Sequence, residues 1–257
     1  MSNYKITKAI ITCGGYATRF LPISRSIPKE MLPIGNKPVI HYIMEELRKA
    51  GVRDVLMLIG RGREVMQNYF DANPELNLDA LFDDMNIYYR RVPMPRGSAD
   101  NIWHAKDFIN GEHFLVAYCD DAFFNGNPAA ELIADFETNG KPAIAVYEVP
   151  KDQTHKYGII KNKNKKNTNI EVESIVEKPR KSPPSTLASV GRFLLSPEIF
   201  KLIEEDNHPI CMTEQLNKLA RAGKLRAVKT ASVRFDTGTA EGLFQANSFT
   251  HGISISR

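Results

Sequence analysis

The chain has 257 residues, 42% of them hydrophobic and 25% charged. That balance excludes a disordered polymer and supplies a core for one large α/β domain or two small ones. Lys and Arg number 34 against 30 Asp and Glu, a net charge of +4 spread along the chain; this argues against a nucleic-acid binder and suits a site that holds several phosphates. No apolar run approaches the roughly eighteen residues of a membrane span. Met1–Lys8 has no signal-peptide core. Cys13, Cys119 and Cys211 are odd in number and far apart, matching neither a disulfide framework nor a zinc site, so a reducing cytoplasm is the expected location.

Lys8–Thr12 is a short apolar run followed by Gly14 and Gly15, the pattern of a buried strand ending in a tight loop. Pro38–Ala50 carries Val39, Ile40, Ile43, Met44 and Leu47 at helical spacing, with Gly51 as its stop. Val52–Gly60 reads as a strand, Glu64–Phe70 as a helix, Asn86–Val92 as a strand, Asn101–Ile109 as a helix and Phe114–Tyr118 as a strand. Strands alternating with helices predict a Rossmann-like, mostly parallel sheet with helices on both faces. After Gly140 the pattern changes. Ala143–Val149, Tyr157–Lys161 and Glu171–Val176 read as strands without helices between them, and Asn162–Asn169 as an exposed hairpin tip. Pro197–Glu205 and Thr213–Ala222 read as helices, and Arg226–Val233 as a late strand. A single domain over 1–257 is the economical reading, with a nucleotide-binding part to about residue 140 and a smaller inserted β region for the sugar within 141–257.

Four constellations carry chemistry. The turn Gly14-Gly-Tyr-Ala-Thr-Arg-Phe-Leu-Pro22 lets backbone N–H groups approach phosphate oxygens, although a plain strand–turn connection looks the same. It is neither a Walker loop nor a GxGxxG fingerprint. Pro28-Lys-Glu-Met-Leu-Pro33 adds Lys29 to Arg19, two cations close behind the turn; phosphoryl transfer needs cations aimed at the transferring phosphate and its leaving group. Asp120-Asp121 ends the Phe114–Tyr118 strand, where ligands bind in open parallel sheets and where carboxylates suit Mg²⁺, although an ordinary turn or helix cap is the bland alternative for such a pair; Asp236 could be a second such carboxylate. Glu177-Lys178-Pro179 offers a carboxylate for sugar hydroxyls and an ammonium for a phosphate.

Each piece is weak alone, but their order is not. With Lys37-Pro38, Gly60-Arg-Gly62, Tyr157-Gly-Ile-Ile160 and Val190-Gly-Arg192 between them, the series closely resembles bacterial UTP–glucose-1-phosphate uridylyltransferases and, more distantly, glucose-1-phosphate thymidylyltransferases. The resemblance covers about residues 8 to 247. It implies transfer of a uridylyl group from UTP to glucose 1-phosphate, Mg²⁺ as cofactor, and a dimer or tetramer as the assembly. It also implies roles: Arg19 and Lys29 at the triphosphate, Gly14, Gly15, Glu30 and Gly97 around the base and ribose, Asp120 and Asp236 at the metal, and Asp121 between sugar and nucleotide. Gly158, Glu177 and Gly191 would line the hexose, and Lys178 would grip its phosphate.

Four departures fall near the nucleotide. Ala17 stands where the family usually has a second glycine, and Cys119 where a glycine precedes Asp-Asp. The base-reading segment, similar to Gln-x-x-Pro-x-Gly-x-Gly-His-Ala in the family, reads Arg91-Val-Pro-Met-Pro-Arg-Gly97-Ser-Ala-Asp-Asn101 and is apparently one residue longer; Arg only donates where Gln both donates and accepts. His208-Pro-Ile-Cys-Met-Thr213-Glu214-Gln215 replaces Gly-Gly-Glu-Ile-Gln-Leu-Thr-Asp. The same chemistry with dTTP, CTP or another sugar 1-phosphate, and a catalytically weak paralogue that binds a nucleotide sugar as a regulator, are therefore the competing expectations.

Overall fold

A computed structural model of the chain describes residues 5–92, 96–163, 170–205 and 211–252. Most of the expected hairpin tip, Pro93–Pro95 of the base-reading segment and His208–Ile210 lie outside the described residues. The first strand, β1 (Lys8–Cys13), is buried on both sides because helices cover both faces. Its side chains alternate: Ala9, Ile11 and Cys13 enter one core, Ile10 the other. A small ladder, β2 (Pro33–Ile34) with β3 (Lys37–Pro38), leads into α1 (Val39–Lys49). Gly51, at φ +93°, ends that helix as expected. Then come β4 (Asp54–Ile59), α2 (Glu64–Phe70) and β5 (Asn86–Arg91). The helix expected over 101–109 starts earlier and breaks in two, α3 (Ser98–Trp103) and α4 (Lys106–Ile109). The strand β6 (Phe114–Tyr118) is as expected.

The second half holds elements that the sequence reading passed over. The short β7 (Asp121–Phe124) is followed by α5 (Pro128–Asn139), whose start is fixed by Asn127 accepting from the Ala130 N–H at 2.8 Å. β8 (Ala143–Glu148), β9 (Gly158–Asn162) and β10 (Ile170–Glu177) match expectation. A long strand, β11 (Leu187–Leu195), follows, then α6 (Glu198–Glu205) and α7 (Met212–Arg221). The late strand is two, β12 (Arg226–Lys229) and β13 (Val233–Asp236), before α8 (Ala240–Thr250).

The main sheet runs β5-β4-β1-β6-β11-β8-β12-β10-β9. Its first four strands are parallel, as expected. β11 then runs antiparallel to both β6 and β8, and β10 runs antiparallel to β12 and β9, so the whole sheet is mixed. Residues of α1 and α5 pack on one face and of α3, α6 and α7 on the other. Beside the sheet, β13 pairs antiparallel with β7, placing Asp236 opposite Asp121. Among the described residues no helix is long and apolar enough to cross a membrane.

Candidate active site

The carboxyl ends of β1 and β6 lie side by side, and the glycine turn and Asp120-Asp121 leave from them. Lys29 sits in a single tight turn, Lys29–Met31, closed by the Met31 N–H donating to Pro28 O at 2.9 Å. Its Nζ donates to Asp120 Oδ2 at 2.6 Å. Burial opposes the ammonium charge, but Cys119, Asp120 and Glu30 outweigh it and hold the Lys29 pKa above the ordinary lysine value. Burial likewise pushes Asp120 up, and Lys29 and Arg234 override it, so that carboxyl titrates below the usual range.

Glu30 is fully buried beneath this pair. Arg63 Nε stands 3.6 Å from its Oε2, while Arg63 Nη2 donates to Gly15 O at 2.9 Å and so ties the glycine turn to the floor. Burial raises the Glu30 pKa against the opposing pull of Arg63 and Lys29. Two of the three cysteines, distant in sequence, meet here: sulfur and oxygen atoms of Cys13, Glu30 and Cys119 lie within 4.8 Å of one another, with the Cys119 thiol donating to Glu30 Oε1 at 3.3 Å. A hydrogen bond with Cys13 and burial keep the Cys119 thiol protonated well past neutrality. The trio is a buried hydrogen-bonded cluster beside Lys29 and Arg63.

On the sugar side, a cleft of about 260 Å³ is lined by Asp120, Asp121, Gly158, Glu177, Gly191 and Asp236, together with Arg19. Gly191 lies in a stretch of β11 where the pairing with β8 shifts register between Ser189 and Phe193. Its N–H donates to Asp121 Oδ2 at 2.7 Å, and a Cβ there would stand 2.6 Å from Tyr118 Cβ, so no side chain fits. Glu177 Oε2 accepts from Thr213 Oγ1 at 2.8 Å. Lys178 lies at the rim, 3.6 Å from Glu177 Oε1 and held at φ +45°, while Lys156 lines the cleft itself. Sequence reasoning missed Arg234, buried in an ion pair with Asp121 and stacked 5.0 Å from the Tyr157 ring centroid.

The two candidate metal ligands converge. A Cβ built on Gly238 would lie 3.0 Å from Asp120 Oδ2 and 3.0 Å from Asp236 Oδ1, so the absence of a side chain at Gly238 leaves a cradle between two carboxylates. Burial, with repulsion from Asp121 and Asp120, raises the Asp236 pKa despite Arg234. Carboxylates packed closely enough to repel one another, with oxygen donors alone, fit a hard divalent cation.

Arg192 forms the platform under these acids and was legible only as part of Val190-Gly-Arg192. It is fully buried. Its Nε and Nη2 donate to Glu46 Oε1 and Oε2 at 2.9 and 2.8 Å. Nη1 donates to Tyr118 O at 3.1 Å and Gly191 O at 2.9 Å, and Nη2 to Asp121 O at 2.9 Å. One guanidinium thereby fixes both ends of the Tyr118–Asp121 corner and the Gly191 bulge.

On the nucleotide side, a second cavity of about 270 Å³ is lined by Gly14, Gly15, Lys29, Gly97, Asn101 and Asp120. It meets the sugar cleft at Asp120, which lines both. Ala17 sits in the left-handed region, φ 51° and ψ 39°, which explains the glycine usual there. Ala17→Gly should raise the unfolding free energy by about 1 kcal/mol in urea titration. Arg91 is exposed at the end of the edge strand β5, and the period of two turns Val92 inward, 1% exposed.

The nucleotidyl transferase family model matches residues 8–252. A relative from Staphylococcus saprophyticus, UTP–glucose-1-phosphate uridylyltransferase 2, is 38% identical over 91% of this chain and 88% of its own length. A UTP-bound structure of the Acinetobacter baumannii UGPase superposes with a TM-score of 0.90 at 27% identity, covering 96% of this chain and 93% of that one. A UDP-glucose pyrophosphorylase complexed with UDP-glucose gives 0.89 at 30% identity, covering 96% and 99%.

Proposed function

The chain belongs to the nucleotidyl transferase family, and from that premise we propose that it joins UTP and glucose 1-phosphate into UDP-glucose and pyrophosphate. One observation carries the reading: the Lys29–Asp120 pair, 2.6 Å apart, stands where the nucleotide cavity and the sugar cleft meet. A phosphate oxygen of the sugar phosphate attacks the α-phosphorus in line. The new P–O bond forms as the bond from the α-phosphorus to the oxygen bridging the β-phosphorus breaks, and pyrophosphate leaves with that electron pair. No group on the protein is modified. Lys29 and Arg19 place positive charge where negative charge develops on the α-phosphate and the leaving group. Gly14, Gly15 and Gly97 give base and ribose a close backbone approach, with Glu30 beneath them. Gly158, Glu177 and Gly191 seat the hexose, Lys178 reaches its phosphate from the rim, and Asp121 keeps its orientation through Gly191 and Arg234.

Asp120 and Asp236 would hold Mg²⁺, which neutralises phosphate charge and aligns the oxygens when bound. We read the chain as one unit of two parts, divided near residue 140, with β11 running between them. A dimer or tetramer in the cytoplasm completes the proposal; the odd, unpaired cysteines suit that compartment.

The test is pyrophosphate release from UTP, dTTP and CTP with glucose 1-phosphate and with other hexose 1-phosphates. UTP with glucose 1-phosphate should be the best pair. Chelation with EDTA should stop the reaction and Mg²⁺ restore it, whereas Asp236→Asn should raise the Mg²⁺ concentration needed by about tenfold or more. Negligible release from UTP beside good turnover of another triphosphate overturns the choice of base.

A further inference from the structure

Asn101 lies in α3, and its backbone N–H donates to Gly97 O at 3.0 Å. It is 6% exposed and lines the nucleotide cavity beside Gly14, Gly15 and Gly97. Its side-chain oxygen is buried without a hydrogen-bond partner among the described residues. The polar neighbours are engaged elsewhere: the Asp100 carboxylate accepts from the Arg96 N–H and Nη2, each at 3.1 Å, and Ser98 Oγ accepts from the Met212 N–H at 3.0 Å. A buried carboxamide oxygen left unpaired destabilises the fold, and Asn is a poor helix former beside Ala. Such a group makes sense where a ligand brings the missing donor.

The chemistry of the cavity says which donor. Triphosphate oxygens only accept, and Lys29 already stands at that end. Uracil presents an imide N3–H flanked by two carbonyl oxygens, and a carboxamide offers an acceptor and a donor in one plane. Val92, turned into the core at the end of β5, offers neither. We propose that Asn101 reads the pyrimidine edge, its Oδ1 accepting from N3–H and its Nδ2 donating to an adjacent carbonyl. The carboxamide that reads the base thus comes from α3 in this chain, not from the end of β5.

The inference rests on the uridylyl-transfer reading and is tested apart from it. The probes are UTP, N3-methyl-UTP, which lacks the imide donor, and 2′-deoxy-UTP, which lacks a ribose donor, each with saturating glucose 1-phosphate. The parent should prefer UTP over N3-methyl-UTP by about tenfold or more in kcat/KM. Asn101→Ala and the closer-sized Asn101→Leu should lose about tenfold in kcat/KM for UTP, mainly in KM, and their preference over N3-methyl-UTP should shrink towards one. Thermal unfolding of Asn101→Ala should occur no earlier than in the parent, since an unpaired buried oxygen is removed. Undiminished discrimination against N3-methyl-UTP in both variants overturns the proposal. So does loss of discrimination against 2′-deoxy-UTP alone, which assigns Asn101 to the ribose. If the parent releases pyrophosphate from none of the three, the uridylyl-transfer reading fails, and equilibrium binding of the same nucleotides to parent and variants still decides the role of Asn101.

Discussion

Lys29→Met should lower kcat for pyrophosphate release by about a thousandfold, with a much smaller change in the KM for glucose 1-phosphate. Methionine nearly keeps the length and apolar stem and removes the charge. The effect is large because the ammonium works largely out of water, beside a carboxylate and against the developing negative charge, where Coulomb interactions are weakly screened. Its companions sharpen the expectation: Asp120 at 2.6 Å and the buried Glu30 next to it keep Lys29 charged at any working pH. Single-turnover measurement with UTP decides the matter. A loss confined to KM would make Lys29 a ground-state binder, and an unchanged rate would remove it from the chemistry.

Arg192→Met should destabilise the protein by about 3–5 kcal/mol, because it leaves Glu46 as a buried, unpaired carboxylate and strips donors from three backbone carbonyls. Arg192 also stacks 4.9 Å from the Phe123 ring centroid, so packing is lost with the charge. The double variant Arg192→Met/Glu46→Leu should recover a substantial part, since the isolated charge goes too, although the Ala129 N–H then loses its acceptor on Glu46. Urea denaturation of the parent, both single variants and the double gives the coupling directly. Additive losses would show that the pair is not a unit.

Much of the site was legible because its residues sit where chain grammar is strongest. Gly14-Gly15 after an apolar run, Asp120-Asp121 after another and Glu177-Lys178 after a third all fall at strand ends, and the fold brings them to one region. The first half of the fold followed from period-two and helical spacing that the core enforces. The rest failed for physical reasons. β11 was missed because Gly191 and Arg192 interrupt an apolar run; a buried arginine looks like a solvated one until Glu46, 146 positions away, is placed beside it. α5 carried its own signals, Asn127 before Pro128 and Gly140 at φ +65° behind, and could have been found. Arg234 gave no warning, since its partners Asp121 and Tyr157 belong to other strands and turns.

The place of β11 in the sheet also constrains how the chain can be made. β6 and β8 are complete once residue 148 has been synthesised, yet the strand that separates them spans Leu187–Leu195. A growing chain halted in between would leave open the edges of β6 and β8 that face β11, one from each half, with apolar side chains on both faces. Exposed edges of that kind recruit other strands. Completion of β11 closes both at once and brings the guanidinium that sets the acidic corner, so an intermediate lacking β11 can hold neither edge nor active site in order.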